Sequence, residues 1–203
     1  MRISLLGCLV MTATSAFSST LTMNLNVDNA FDVYISTSDA VLGTLVGSGT
    51  NWPTTNTFST VLTPAVTNYI HIVAVNSGGP GGFLGDFSIS DNLFQFVNST
   101  QSLLTNAAEW NFSDTGFGGA YTSSVGEGPN GVGPWGNISG VNSNAEWIWD
   151  PANCGSCTVY FQTAITPNAV SATPEPTTPL LLAGGIAVLW RKARRKKAAN
   201  SVL

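Results

Sequence analysis

Between about residue 19 and residue 166, apolar side chains recur at every second position rather than at helical spacing. Leu21, Met23, Leu25 and Val27 alternate with Thr22, Asn24 and Asn26, and Phe31, Val33 and Ile35 alternate with Asp32, Tyr34 and Ser36. A strand sends successive side chains to opposite faces, so this pattern predicts strands with one apolar and one polar face. Tyr69–Val75 is nearly continuous in apolar residues, as a strand buried on both faces would be. Further strands are expected over Phe83–Ile89, Leu93–Val97, Glu109–Phe112, Glu146–Trp149 and Thr158–Ile165. Turns are expected at Gly47–Gly49, Asn76–Gly82, Gly116–Gly119 and Gly126–Gly136. Many short strands with this punctuation predict an all-β fold, a jelly-roll β-sandwich, over residues 19–166.

Both ends depart from the pattern. Arg2, the short apolar stretch Ile3–Met11 and the small residues that follow are laid out as a signal peptide over residues 1–18. Cleavage after Ala16 or Ser18 would remove Cys8 with it. At the other end a linker, 167–178, carries Pro174, Glu175 and Pro176. An uncharged apolar run, 179–190, is expected to be a transmembrane helix, and a basic cytoplasmic tail, 191–203, closes the chain. Twelve helical residues cover about 18 Å, against about 30 Å of bilayer hydrocarbon, so the run suits a transient span better than a permanent one. Arg191, Lys192, Arg194, Arg195, Lys196 and Lys197 should keep the tail on the cytoplasmic side.

The tripeptide, the short apolar helix and the basic terminus, over about Thr173–Ala198, resemble the PEP-CTERM sorting signal of Gram-negative bacteria. That resemblance implies export through the Sec machinery and passage through the inner membrane. It further implies processing by an exosortase, a membrane-embedded cysteine protease, and delivery to the cell surface or an extracellular polysaccharide matrix. Pro174, Glu175 and Pro176 would then be recognition residues of a substrate. A plain C-terminal membrane anchor is the alternative. A second resemblance rests on Val27-Asp28-Asn29, Asn51-Trp52, Gly78-Gly79-Pro80-Gly81-Gly82-Phe83, Ala108-Glu109-Trp110, Pro134-Trp135-Gly136 and Ala145-Glu146-Trp147-Ile148-Trp149. Their order over Leu21–Ile165 is similar to galactose-binding-like jelly-roll modules, many of which bind sugars.

Charge narrows the chemistry. Only 9% of residues are charged, against roughly 25% in an average soluble protein. All Lys and Arg other than Arg2 lie in the tail, so Ser19–Thr173 has none. The same stretch carries ten acids: Asp28, Asp32, Asp39, Asp86, Asp91, Glu109, Asp114, Glu127, Glu146 and Asp150. Such a domain offers no cations to nucleic-acid phosphates and no clamp for phosphoryl transfer. Neutral glycans and divalent cations remain as partners.

Flat indole faces suit pyranose rings, and Trp52 and Trp135, each in a Gly-, Pro- or Asn-bearing loop and more open to solvent than a strand residue, are the candidate carbohydrate-binding residues; packing of either loop against the core rim is the alternative. Trp147 and Trp149 are expected on one face of their strand with Ile148 opposite, and Trp110 in the core. Asp28 and Asp32, with Asn29 between them, are the candidate ligands for Ca2+, although no spaced calcium loop is present. Cys154 and Cys157 are expected to close a local disulfide in an exported chain. The strand-like sequence after Cys157 argues against a redox motif, which needs a helix N-terminus. His71, the single histidine, lies mid-strand without a nucleophile motif. The residues therefore predict no enzyme. They predict a carbohydrate-binding surface protein, or a structural and adhesive matrix protein without a small ligand, ahead of a carboxylate-dependent polysaccharide hydrolase.

Overall fold

A computed structural model describes residues 18–152 and 154–169. The expected signal peptide, the Pro-Glu-Pro motif, the apolar run and the basic cluster lie outside these residues. No helix among the described residues is long and apolar enough to cross a membrane. In chain order the strands are β1 (Thr20–Asp28), β2 (Ala30–Ser36), β3 (Thr44–Gly49), β4 (Asn56–Val61), β5 (Asn68–Asn76), β6 (Gly82–Ile89) and β7 (Phe94–Phe96). They continue as β8 (Ser102–Leu104), β9 (Asn111–Ser113), β10 (Thr122–Ser123), β11 (Val125–Pro129), β12 (Glu146–Trp149) and β13 (Cys157–Pro167).

The strands form two antiparallel sheets, an all-β arrangement consistent with a β-sandwich. The first runs β11-β12-β6-β1-β4, with β8 also on β6; the second runs β10-β9-β13-β5-β2-β3, with β7 also on β13. Chain neighbours change sheet repeatedly, at β1–β2, β3–β4, β4–β5, β5–β6 and beyond, so each sheet is built from distant segments. Asn76 pins the β5–β6 crossing. Its Nδ2 donates to the Gly79 and Cys154 carbonyls, both at 2.9 Å, and its Oδ1 accepts the Gly78 N–H at 3.0 Å. The Cys154–Cys157 disulfide, with a Cα–Cα distance of 5.9 Å, holds the same corner.

The expected alternation of β1 is realised: Leu21, Met23, Leu25 and Val27 are buried between the sheets. They meet Ile70, Ile72 and Ala74 of β5, Phe83 and Phe87 of β6, and Val159, Phe161 and Ile165 of β13. Trp110 stands edge-on to Phe83 at 5.0 Å, and its Nε1 donates to the Leu104 carbonyl at 3.3 Å. Each of these large side chains contributes about 1.5–3 kcal/mol by leaving water.

Several expectations change. Gly47–Gly49 is not a turn but the end of β3; a side chain at Gly47 would collide with the Phe58 ring, so glycine there serves packing. The expected turn Gly126–Gly136 begins instead as strand, because Val125–Pro129 forms β11 and pairs with β12. Tyr69, Val73 and Val75 are only half-buried, so β5 is one-faced over most of its length. β13 extends to Pro167, two residues past the expected strand end at Ile165. Among the described residues, both sheets and both apolar clusters lie within residues 18–168, so this segment carries its own core.

Candidate functional site

The alternation that buries Leu25 and Val27 turns Asn24, Asn26 and Asp28 to the outer face of the first sheet. Opposite them on β6 stand Asp86, Leu84 and Gly82. This face is covered by the segment between β11 and β12, which forms a second apolar cluster of Leu84, Trp135, Ile138, Val141, Ala145 and Trp147. Trp52, Leu104 and Val132 pack against its margin. Asn130 folds the covering segment on itself, accepting the Ile138 N–H at 2.8 Å and donating to the Ile138 and Val141 carbonyls at 3.1 Å. Asp86 ties it to the sheet, accepting from Asn24 Nδ2 at 2.8 Å and from the Asn142 N–H at 2.7 Å.

At the centre the Trp135 and Trp147 rings stack, 4.5 Å apart and 19° from parallel. Gly82 admits them: a β-carbon there would stand 2.7 Å from Trp147 and 2.8 Å from Trp135. Trp135 Nε1 donates to Asp28 Oδ2 at 2.9 Å, across 107 residues of chain. Asn26 Nδ2 donates to the Trp52 carbonyl at 2.6 Å, which fixes the loop carrying that indole. Three buried polar atoms of this cluster, Asn26 Oδ1, Asp28 Oδ1 and Trp147 Nε1, find no hydrogen-bond partner among the described residues. Burial pushes the Asp28 carboxyl above its usual range, and the Trp135 hydrogen bond partly offsets this.

The placement of the expected site residues is mixed. Of the two readings of Trp135, packing is realised: it is only 6% exposed, because its loop folds down onto Trp147 and Asp28. Trp52 is half-buried and keeps part of its surface in solvent. Trp147 and Trp149 do not share a face. β12 meets β6 at the single pair Ile148–Phe83, and its ladder with β11 shifts register between Gly126 and Gly128, opposite Ile148 and Trp147, so the alternation is not regular there. Trp147 joins the outer cluster, while Trp149 lies over Gly81 and packs at 5.6 Å from Phe161 in the inter-sheet core. Asp28 and Asp32 are not brought together. Val27 and Phe31 both point into the core, so the two carboxylates face opposite outer surfaces, and Asp32 accepts the Tyr34 hydroxyl at 3.4 Å. Among the described residues no group of three or more His, Cys, Asp or Glu could hold a metal ion. The cysteines form their expected disulfide. Asn26, Gly82 and Asn130 escaped sequence reasoning. The period of two does place Asn26 beside Asp28, but nothing local marks Gly82 as the seat of two indoles.

A second polar cluster covers the outer face of the second sheet. His71 is fully buried beneath Phe117, whose ring stacks on it at 3.9 Å and 15°. Its Nδ1 lies 3.2 Å from the Leu42 carbonyl, a contact the neutral Nδ1–H tautomer makes as donor. Its Nε2 lies 3.6 Å from Asp39 Oδ1, which also accepts the Tyr121 hydroxyl at 2.8 Å. Two loops, 37–43 and 114–121, are thereby clamped over β5. Burial lowers the His71 pKa below 6.5, opposed by the Leu42 carbonyl and Asp39, and burial pushes the Tyr121 hydroxyl up to about 12.

No protein-family model, no curated protein and no solved structure matches this chain.

Two outcomes test this geometry. Asp28→Asn removes a buried charge and keeps an acceptor for Trp135. It should leave stability at pH 7 equal or higher, whereas Asp28→Ala should lose about 1–3 kcal/mol in urea unfolding by stranding the indole N–H. Because folding lowers the His71 pKa, the unfolded chain binds the extra proton first. Stability is therefore fully present above pH 6.5 and should fall as pH drops below it. Asp28 and Asp114, whose folded pKa values are raised, act in the opposite direction, so the His71 contribution is the difference from His71→Gln. Thermal melts from pH 7.5 to pH 5 should show that difference shrinking with acid; parallel curves would refute the assignment.

Proposed function

We propose that this chain is an exported protein of a Gram-negative bacterium, delivered by exosortase processing to the cell surface or an extracellular polysaccharide matrix. In this reading its β-sandwich is a galactose-binding-like jelly-roll module that binds neutral carbohydrate without catalysis. One observation carries the ligand side: Trp52, Trp135 and Trp147, far apart in sequence, converge with Asn26 and Asp28 on one outer face. Trp135 and Trp147 form a rigid base and Trp52 is the indole left accessible at its margin. A platform already ordered loses little entropy when a sugar ring stacks on it. The absence of Lys and Arg from Ser19 to Thr173 favours neutral over acidic glycans. Pro174, Glu175 and Pro176, followed by the short apolar run and the cations, support the sorting route.

A structural or adhesive matrix role without a small ligand is the second reading. It is favoured by a long stretch of sequence, Ala40–Gly85, which contains no Asp, Glu, Lys or Arg and includes the exposed Val41, Leu42, Leu45, Val61 and Val66.

Affinity electrophoresis of residues 18–169 through gels containing neutral polysaccharides tests the first reading. At least one polysaccharide should retard the protein, and Trp52→Ala should weaken binding about tenfold or more, the scale of one lost stacking contact, with an unchanged far-UV spectrum. Uniform mobility in every neutral polysaccharide would favour the structural reading. Mass spectrometry of the mature protein should show a chain that ends near Pro174–Pro176. Recovery of Lys196 and Lys197 in the surface-exposed form would mean anchoring instead of processing.

A further inference from the structure

β4 closes one side of the first sheet. It pairs with β1 over six consecutive positions, from Thr20–Val61 to Leu25–Asn56, and no strand among the described residues lies on its other side. Its outward backbone groups are therefore a template for another strand. Natural sheets guard such edges with lysine, proline, inward charges or bulges. β3, the corresponding edge of the second sheet, has a bulge in its pairing with β2 between Val33 and Tyr34. β4, with the sequence Asn-Thr-Phe-Ser-Thr-Val, has a regular register and no charge, proline or glycine.

The surroundings of β4 point to the kind of partner. Val41, Leu42, Leu45, Val61 and Val66 are all exposed, and all five belong to the charge-free stretch Ala40–Gly85. Val41 and Val61 line an open cleft of about 460 Å3 with Thr37, Thr44 and Thr60, where the end of β4 passes the β2–β3 turn. The outer row of β4 is already ordered: Ser59 Oγ lies 3.3 Å from Thr22 Oγ1, and Thr57 Oγ1 donates to Asn24 Oδ1 at 2.8 Å. Elsewhere the domain carries ten acids without a compensating Lys or Arg, so two copies repel one another over most orientations. An approach through β4 brings uncharged surface to uncharged surface.

We infer that β4 is a self-association edge whose occupant is β4 of a second copy of this chain. The two strands pair antiparallel about a two-fold axis near Ser59, so that Thr57 faces the partner's Val61, and the first sheet continues across the dimer. Such a contact is self-complementary, as a two-fold interface requires. It does not depend on carbohydrate binding, because the Trp52 cluster uses the β1–β6–β12 part of the sheet.

Sedimentation equilibrium on residues 18–169, whose core is complete within that segment, is the test. The chain should dimerise with rising concentration, and added NaCl should tighten the dimer by screening the acids. Ser59→Asp should weaken it about tenfold or more by placing like charges directly opposite each other on the axis, and Val61→Asp should weaken it by setting a carboxylate where an apolar side chain faces the partner's Thr57, both with unchanged far-UV spectra. Ser59→Cys should form a covalent dimer under mild oxidation. A monomer at all concentrations with no Ser59→Cys cross-link would overturn the inference, whether because another segment covers β4 or because the edge stays solvated. A dimer indifferent to both Asp substitutions would overturn it too, by placing the interface elsewhere.

Discussion

The pleat of β1 sends Leu21, Met23, Leu25 and Val27 into the inter-sheet core and Asn24, Asn26 and Asp28 to the opposite face. A slip of one residue would exchange the two sets, leaving four apolar side chains outside and two amides and a carboxylate inside. Both halves of the molecule depend on this register. On the inner side it supplies the row against which β5 and β13 pack. On the outer side it presents the acceptor that anchors Trp135, the amide that holds the Trp52 loop, and the amide that bonds Asp86. The outer cluster is thus not an ornament on a finished sandwich. It is held by the polar face of the same strand that organises the core.

A domain without Lys or Arg must satisfy its acids with neutral donors. Asp28 accepts an indole N–H, Asp39 a phenol, Asp86 an amide and a backbone N–H, and Asp91 the Ser19 hydroxyl and the Leu93 N–H. Asparagine takes the place that arginine holds elsewhere as a multivalent clip. Asn68, Asn76 and Asn130 each bond two or more backbone groups of an irregular segment. These bonds are short-range and directional, so they specify loops well but neutralise no charge. The uncompensated acids then disfavour the approach of other anionic surfaces.

Sequence reasoning succeeded where one strand's own pattern decided the outcome and failed where a distant segment did. The faces of β1 and of β2 at Phe31 and Val33 were legible because alternation is local. The cysteine pair was legible because its loop is three residues long in sequence separation. Trp135 was left undecided because its loop looks polar and open, and only the Asp28 carboxylate and the Trp147 ring, contributed by β1 and β12, draw it inward. Trp147 and Trp149 were assigned one face because alternation assumes a regular ladder, and the β11–β12 ladder shifts register between Gly126 and Gly128. Gly47 looked like a turn because a glycine chosen for close packing under Phe58 carries the same letter as one chosen for a turn.

What the sequence by itself determined is the all-β character, the inward and outward faces of β1, and the crowding of nearly all cations into residues 191–197, since each is a property of neighbouring residues. Only the tertiary structure decided which tryptophans share a face, that Asp28 and Asp32 point apart, that His71 lies under two loops, and that β4 is left as an edge. Each of those depends on which distant strands pair and in what register. The pairing is settled by the simultaneous burial of two sheets' inner faces, a condition no single stretch of chain expresses.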